Sequence, residues 1–250
     1  MHQFFVETGQ IEGSTVTILG ADVNHIGRVL RMKPGDEIRV SDRSGASCFC
    51  AITAITPQQV TAQILRLDED GTELPMHIIL YQGLPKSDKM ELIIQKAVEL
   101  GACEIVPVMM KNCVVKIVDK KVDGKTKRWQ LIAESAAKQS KRSLVPAVRN
   151  PITFKEFLRE TCDSNTVDLT LIAYENERGM DATRQILQNI APGQTVGLLI
   201  GPEGGISPEE MAACDERPEK LKRISLGRRI LRTETAGLAA LAMLVYQLDR

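Results

Sequence analysis

Hydrophobic and polar positions alternate along much of the segment from 14 to 67, and turn-forming sequences interrupt the alternation. Cys48, Cys50, Ile52 and Ala54 fall on one side of an extended run, because successive side chains of a strand point to opposite faces. Four or five short strands at this spacing, with DRSG and TPQQ as turns, are typical of a small barrel. The pattern therefore predicts a β-barrel domain near the start of the chain.

One stretch inside this region has a different period. In NHIGRVLRM, at 24 to 32, the apolar residues Ile26, Val29 and Leu30 recur at helical spacing, which predicts a short helix. Arginines on a surface helix are candidates for contact with RNA, and an ordinary solvated face is the alternative. The residues that would face outwards are His25, Arg28 and Arg31.

An acidic segment rich in turn-forming residues, DEDGTELP at 68 to 75, predicts a linker. We therefore expect one domain at 1–72 and a second at 73–250. Beyond the linker, HIILYQGL is an apolar run of strand length, and SDKMELIIQKAVELG carries an apolar stripe at helical spacing that stops at Gly101. The residues of that stripe are Met90, Ile93, Ile94, Ala97 and Val98.

Strands and helices continue to alternate through the second region. Strand-like runs occur in CEIVPVMM, VDLTLIAY and TVGLLIG, and helical segments are expected near 126–142, 154–161 and 180–190. A strand, a helix and a second strand at these lengths form a crossover unit, so this pattern predicts an α/β fold with a parallel sheet and helices on both faces. Ligands of open parallel sheets bind beyond the carboxyl ends of the strands. The candidate strand ends are 82–85, 174–177, 201–205 and 226–232.

The sequence GLLIGPEGGISPEE, at 197 to 210, takes the chain from a strand through a glycine-rich loop into a helix. Ser207, Pro208 and Glu210 form a capping box with proline at the first helical position, so a helix should begin at Ser207. The glycines would let a ligand approach backbone N–H groups closely, and a simple tight turn is the alternative. The loop lacks the Gly-Lys-Ser/Thr ending of a phosphate loop and the GxGxxG pattern.

The composition of the chain argues against several classes of protein. The chain has 250 residues, of which 43% are hydrophobic, enough for a buried core. No run approaches the ~18 apolar residues of a membrane span, and the first residues lack a basic segment followed by an apolar one, so we expect a cytoplasmic protein. Its six cysteines show neither a CxxC pair nor histidines at zinc-ligand spacing. Free thiols are therefore predicted, and no metal.

The formal net charge is zero, with 32 basic and 32 acidic residues, but the basic residues are clustered. Ten Lys or Arg lie between 111 and 142, and seven lie between 217 and 232 against a single glutamate. Such clusters suit a polyanion such as RNA, and a solvated helix face is the alternative.

Several longer motifs resemble the RsmE family of 16S ribosomal RNA uridine-N3 methyltransferases, within the SPOUT class. The most specific are GPEGGISPEE at 201–210 and LGRRILRTETA at 226–236. QGLPKSDKMELIIQKAVELG at 82–101, AKQSKR at 137–142 and HIGRVLRMKPGD at 25–36 support the resemblance, which covers nearly the whole chain.

This resemblance implies a C-terminal deep trefoil knot whose loops hold S-adenosyl-L-methionine, a PUA-like N-terminal barrel that helps to hold RNA, and a homodimer packed through the knotted region. The implied substrate is U1498 of 16S rRNA within the 30S ribosomal subunit. In such enzymes backbone groups of the knot loops recognise the cofactor. The implied cofactor-binding residues are Leu171, Ala173, Glu175, Leu199, Ile200, Gly201, Pro202, Gly205, Ile224, Leu226, Gly227, Ile230 and Leu231. The candidate RNA-binding residues are Arg28, Arg31, Lys141, Arg142 and Arg229.

Methylation at uridine N3 sets the chemistry that the site must perform. N3 lies on the Watson–Crick edge, so the target must be unpaired or flipped out. Its proton must pass to a base, or a cation must stabilise the anionic uracil while water takes the proton. Arg232 is the candidate for holding a phosphate or the developing oxyanion, and Glu234 or Glu203 would be the base if there is one. Structural alternatives are an ion pair between Arg232 and Glu234, and a bracing role for Glu203.

Two positions depart from the family pattern. Gln3 stands where the family often has an arginine, which weakens any assignment of RNA contact to the extreme N-terminus. Lys138 stands where an acidic residue is frequent. The rival interpretations are a SPOUT enzyme that acts on another rRNA base or on a ribose 2′-oxygen, and a non-catalytic RNA-binding factor in ribosome assembly.

Overall fold

The computed structural model describes residues 1–69, 71–86, 88–115 and 122–249. The chain divides into two compact units, Met1–Glu73 with Ala137–Val145, and Leu74–Ala136 with Pro146–Arg250. The sequence did not predict that a segment near position 140 belongs with the N-terminal residues. Part of the basic cluster between 111 and 142 lies outside the described residues.

The first unit is built on a six-stranded sheet in the order β1-β4-β5-β6-β3-β2. β1 pairs with β4 in parallel and the other pairs are antiparallel. Among the described residues, β1 and β2 are the sheet edges, so the strand pairings do not close a complete barrel. The strands are β1 (His2–Phe5), β2 (Ile11–Glu12), β3 (Thr15–Leu19), β4 (Glu37–Ser41), β5 (Ser47–Ile55) and β6 (Gln59–Leu67).

One hydrophobic core serves this whole unit, with residues from β1 and β3 to β6. The predicted face of Cys48, Cys50 and Ile52 is confirmed, since each is at most 5% exposed. Ala54 was wrongly assigned to that face and is exposed. The register shifts between Ile52 and Ala54, and a bulge there turns the following side chains to the other side of the strand.

The predicted helix exists as α1 (Ala21–Asn24) followed by a wider helical turn at His25–Val29. Ile26 is fully buried, but Val29 is 61% exposed and does not share the face that helical spacing predicts for both residues. The N–H of Leu30 donates to the carbonyl of His25 at 2.9 Å, which is the spacing of a π-turn rather than an α-turn. Residues after the turn therefore leave the face that α-helical spacing predicts.

A polar network holds the segment 141–145 within this unit. Arg39, 5% exposed, donates to Asp68 at 2.7 Å, to the side-chain oxygen of Gln3 at 2.8 Å and to Ser143 at 2.9 Å. Gln3 also donates to the carbonyl oxygen of Arg142. Gln3 is therefore a buried member of the network.

Arg142 was predicted to contact RNA phosphates, and the structure contradicts this. Arg142 is 3% exposed, and its guanidinium donates hydrogen bonds to the carboxylate of Glu73. The distance from Nε of Arg142 to Oε2 of Glu73 is 3.1 Å. Glu73 also accepts the backbone N–H groups of Ser143 and Leu144. A guanidinium buried in this way has a structural role. The sequence could not show this, because the partner lies 69 positions away.

We expect Arg142→Ala to lower the free energy of unfolding by on the order of 2 kcal/mol, because Glu73 would lose its charged partner. Urea denaturation of the purified protein measures the change. Lys141→Ala removes the same charge from an exposed neighbour and should change the free energy by less than about 0.5 kcal/mol. Equal effects of the two substitutions would contradict the structural role of Arg142.

The second unit contains a seven-stranded sheet in which every pair is parallel, as predicted. The strand order is β10-β8-β7-β12-β11-β13, with β9 also paired to β8. The strands are β7 (His77–Gly83), β8 (Glu104–Met109), β9 (Ala147–Val148), β10 (Ile152–Thr153), β11 (Leu169–Ala173), β12 (Thr195–Ile200) and β13 (Leu221–Ile224).

Its helices follow the predicted alternation. The bounds are α2 (Lys89–Glu99), α3 (Val122–Ser140), α4 (Phe154–Leu158), α5 (Asp181–Gln188), α6 (Pro208–Asp215) and α7 (Thr233–Leu248). The apolar stripe of α2 is buried in full, and Gly101 follows with φ +88°, a conformation that favours glycine after a helix. The capping box of Ser207 and Glu210 at the start of α6 is also confirmed. None of the described helices combines the length and apolar character that crossing a bilayer requires.

Candidate functional site

A cavity of about 530 Å³ opens beyond the carboxyl ends of β11, β12 and β13. Parallel strands present their carboxyl ends at one edge, and connecting loops gather there. The cavity has an apolar part, formed by residues such as Ala173, Ile200 and Leu231, and a charged rim. The lining comprises Lys89, Ala173, Tyr174, Glu175, Glu177, Ile200 to Gly205, Leu226, Gly227, Arg229 to Thr233 and Ala236.

The glycine-rich loop after β12 is packed too closely to accept side chains. A Cβ atom on Gly83, at the end of β7, would lie 2.6 Å from the backbone nitrogen of Pro202. Gly205 has φ +69°, and a Cβ there would collide with the carboxylate of Glu175. Glycine at these points lets backbone pass close to backbone and leaves the inner surface of the loop open to the cavity.

The loop after β8 braces this glycine-rich loop from outside the cavity. The side-chain amide of Asn112 donates to the carbonyl of Gly204 at 2.9 Å and to that of Gly205 at 3.3 Å. The N–H of Lys111 donates to Glu210 at 2.8 Å. The sequence analysis missed Asn112. Its only sequence signal is its position, just beyond the carboxyl end of a predicted strand.

The start of α7 is joined to both central strands. Thr233 donates through its hydroxyl to the carbonyl of Gly201 at 2.6 Å, and the side-chain amide of Gln82 donates to that hydroxyl at 2.9 Å. Gln82 is fully buried and Thr233 is 5% exposed. These bonds connect the ends of β7 and β12 with the segment that carries the RTETA sequence, so its residues have a defined position.

An ion-paired cluster lies at the charged rim. The ammonium of Lys89 lies 3.2 Å from Oε1 of Glu203 and 3.1 Å from Oε2 of Glu234. The N–H of Lys86 also donates to Glu203 at 3.1 Å. Glu203 therefore contacts the start of α2, and Glu234 pairs with a lysine instead of with Arg232. The sequence analysis did not assign Lys89 to the site.

Both carboxylates are held in their ionised forms. Burial works against ionisation of Glu203, but the backbone N–H groups of Glu203 and Lys86 and the Lys89 ammonium together lower its pKa. The pKa of Glu234 is lowered by its own backbone N–H at the start of α7 and by Lys89, against a smaller opposing effect of burial. In return Glu234 and Glu203 raise the pKa of Lys89. A carboxylate with a lowered pKa is a weak base, so neither glutamate is suited to accept a proton near pH 7.

Arg232 is the residue before α7, and its side chain is exposed at the cavity. Within the described part of the chain its guanidinium makes no hydrogen bond or ion pair. Its charge contributes to the lowered pKa of Glu234. Arg229 also lines the cavity and is exposed. Two cationic groups are thus available to an anion at the mouth of the cavity.

Most of the expected cofactor residues line the cavity. They are Ala173, Glu175, Ile200, Gly201, Pro202, Gly205, Leu226, Gly227, Ile230 and Leu231. Leu171, Leu199 and Ile224 do not line it, since each is at most 2% exposed and lies within a strand of the sheet. Leu171 and Leu199 lie inside β11 and β12, and Ile224 is the last residue of β13, with its side chain buried. Arg28 and Arg31 are exposed in the first unit and are not among the residues that line this cavity.

A cavity beyond the strand ends of a parallel α/β sheet is the usual place for a bound ligand, and two family models state the class of protein. Residues 72–245 match the model for an RNA methyltransferase domain, and residues 18–65 match the model for an RNA methyltransferase PUA domain. The expectation of a PUA-like domain before a parallel α/β domain is therefore confirmed.

Individual relatives define the family more closely. Ribosomal RNA small subunit methyltransferase E of Bacillus subtilis is 36% identical over 100% of this chain and 98% of its own length. Its counterpart in Synechocystis is 32% identical over 97% of this chain and 77% of its own length. The structure of the Neisseria gonorrhoeae enzyme bound to S-adenosyl methionine has a TM-score of 0.83 and 30% identity, covering 99% of this chain and 98% of that one. The chain belongs to the ribosomal RNA small subunit methyltransferase E family.

Proposed function

We propose that this protein transfers a methyl group from S-adenosyl-L-methionine to N3 of a uridine in 16S rRNA of the 30S ribosomal subunit, with U1498 as the target. The proposal rests on one observation: two features line the same cavity. Closely packed glycine-loop backbone forms its inner part. At its mouth stand the cations Arg229 and Arg232, which form no ion pair with any residue that the structure describes. The first feature suits a nucleoside cofactor and the second suits RNA.

The cavity residues fit this cofactor. Its volume of about 530 Å³ is within the usual range of ligand pockets, which is about 300–1,000 Å³. Ile200, Leu226 and Leu231 offer apolar walls to an adenine, and the open backbone of the glycine-rich loop offers hydrogen bonds. Glu175 and Glu177 are acceptors for hydroxyl or ammonium groups. When bound, S-adenosyl-L-methionine supplies an electrophilic methyl group on a sulfonium sulfur.

The residues of the chain have two tasks in this reaction. They hold the flipped-out uracil with N3 directed at the methyl group, and they stabilise the negative charge that uracil acquires when N3 loses its proton. Arg232 performs the second task through its unpaired guanidinium. The lowered pKa values of Glu203 and Glu234 favour water over a carboxylate as the acceptor of the proton.

This assignment predicts how the rate depends on pH. With water as the acceptor, the single-turnover rate should rise about tenfold per unit between about pH 6 and pH 8, because the fraction of deprotonated uracil rises in that proportion. Quenched-flow assays with saturating cofactor measure it. A rate independent of pH over this range would contradict the assignment, since an ionised carboxylate would then be taking the proton.

We also propose the SPOUT-type trefoil knot for the C-terminal part. β13 pairs with β11 at one edge of the sheet, whereas α7, which follows it, packs against α2 and β12. The intervening segment 225–232 therefore has to cross past the glycine-rich loop, and Thr233 is bonded to that loop. This path of the chain supports a knot in which the segment 225–232 passes the glycine-rich loop at the carboxyl ends of the strands.

The homodimer is proposed to pack through the same region. Tyr246 of α7 is 90% exposed and Leu92 of α2 is 44% exposed, and these two helices pack against each other. Exposed apolar residues on adjoining helices support a protein contact. Sedimentation equilibrium at several protein concentrations would test for the dimer.

We propose that residues 1–72 help to hold the RNA, that 73–250 form the methyltransferase domain, and that the protein acts in the cytoplasm. Exposed Arg28 and Arg31 support the first assignment, and exposed Lys141 lies in the segment 137–145 of the same compact unit. Arg142 is buried and is excluded from the proposed RNA contacts. Lys141 extends its ammonium to the carbonyl of Met1 and keeps an exposed surface.

The decisive experiment is methylation of 30S subunits and naked 16S rRNA that lack the modification, followed by mass spectrometry of the nucleosides. We expect 3-methyluridine. A 2′-O-methyl nucleoside or another methylated base would instead indicate a different target within the same class. Absence of product together with no cofactor binding in calorimetry at high micromolar concentration would indicate a non-catalytic RNA-binding factor.

A further inference from the structure

Lys89 lies between two carboxylates of the charged rim, and the proposed methyl transfer assigns it no role. Its ammonium contacts Glu203, in the loop after β12, and Glu234, in the first turn of α7. The side chains of the three residues are 29%, 24% and 18% exposed, so water screens the cluster only in part. One lysine thus balances carboxylates from two elements that surround the cavity.

Glu234 has a second possible cationic partner. Arg232 lies two positions before it at the start of α7, and its charge already acts on the Glu234 carboxylate. Arg232 nevertheless forms no ion pair with any described residue. The other charged groups that line the cavity are Glu175, Glu177 and Arg229, and no ion pair joins these three to the cluster among the described residues. Among the described residues, Lys89 is therefore the cation that forms an ion pair with the Glu234 carboxylate.

We propose that Lys89 is a positioning residue: it occupies Glu234 and so leaves the Arg232 guanidinium free for the anionic uracil. Without the lysine, an ionised Glu234 would attract Arg232, and the nearby Glu203 would add like-charge repulsion. The arginine would then be directed along the helix start rather than into the cavity. This role rests on the proposed methyl transfer, in which Arg232 stabilises the substrate.

A double-mutant cycle tests the proposal, with single-turnover methylation at saturating cofactor as the readout. Lys89→Met keeps an unbranched side chain of similar length and removes the charge. We expect it to slow methyl transfer on the order of 10-fold or more in the wild-type background. In the Glu234→Gln background, where the carboxylate nearest to Arg232 in sequence is neutral, we expect less than about a twofold effect. Lys89→Arg should retain more of the rate than Lys89→Met.

Cofactor binding separates this role from a merely structural one. The affinity of Lys89→Met for S-adenosyl-L-methionine should stay within about threefold of wild type, since removing a cation does not weaken a site for a sulfonium. Thermal unfolding verifies that the variant is folded, and Lys89→Gln replaces it if it is not.

Three results would overturn the inference: an equal loss of rate in both backgrounds, a normal rate for Lys89→Met, or an inactive Glu234→Gln variant, which would show that Glu234 acts directly. A wild-type protein that forms no 3-methyluridine contradicts the proposed function instead. The two failures are therefore distinguishable.

Discussion

Arg232→Ala should reduce the single-turnover rate of methyl transfer by about 100-fold or more, the scale of losing a charged group that acts on the developing negative charge. The cofactor affinity should change by less than about threefold, because the interaction forms only as uracil becomes anionic. The structural basis is the exposed guanidinium that lines the cavity and has no ion-pair partner among the described residues. Rapid quench with unmodified 30S subunits gives the rate, and isothermal calorimetry gives the affinity.

Arg184→Ala is the matched control for this prediction. Arg184 lies on α5, where its side chain is 66% exposed and pairs with Asp181 at 2.8 Å, and it does not line the cavity. This substitution also replaces an arginine by alanine, and the single-turnover rate of methyl transfer should stay close to that of the wild type. A normal rate for Arg232→Ala would refute the role of this arginine. A large loss of cofactor affinity would show instead that it binds the cofactor.

Gly83→Ala is expected to weaken binding of S-adenosyl-L-methionine on the order of 10- to 100-fold, although residue 83 does not line the cavity. Its Cβ would lie 2.6 Å from the nitrogen of Pro202 and 3.0 Å from the carbonyl carbon of Gly201. These are backbone atoms and cannot rotate away, so the glycine-rich loop must move. Overpacking of this kind also lowers the free energy of unfolding by about 1–3 kcal/mol.

Gly124→Ala provides the control, because a Cβ there meets nothing within 4 Å and the residue lies in α3. Calorimetric titration with the cofactor should give an unchanged dissociation constant, and alanine should slightly stabilise the helix. Unchanged cofactor binding by Gly83→Ala would mean that the glycine-rich loop does not contact the cofactor, which would remove its part in the proposed site.

The sequence predicted those features that depend on residues close together in the chain. The apolar stripe of α2 and the capping box at Ser207 are local patterns, and both were confirmed. Predictions based on ideal periodicity were wrong where the backbone departs from that period. Ala54 follows a bulge and Val29 lies in a π-turn, and neither irregularity has a signal in the spacing of apolar residues.

The candidate site shows the same division. The glycine-rich loop and the RTETA segment could be found because strand ends and helix starts are visible in the sequence. The buried ion pair of Arg142 could not be found, since a basic residue near a helix end resembles an RNA contact until its partner is known. Leu171, Leu199 and Ile224 belong to the correct strands, but their side chains are enclosed in the sheet.

The sequence by itself therefore determined the family, the alternation of strands and helices, and the two segments between which the cavity lies. Only the tertiary structure decided which charges are paired. Asn112 reaches a loop 92 positions away, and Gln82 reaches a hydroxyl 151 positions away. Lys89 pairs with two carboxylates, while Arg232 pairs with none of the carboxylates in the described part of the chain. Hydrogen bonds and ion pairs depend on distances of a few ångströms between atoms, and over such separations in sequence only the folded chain sets those distances.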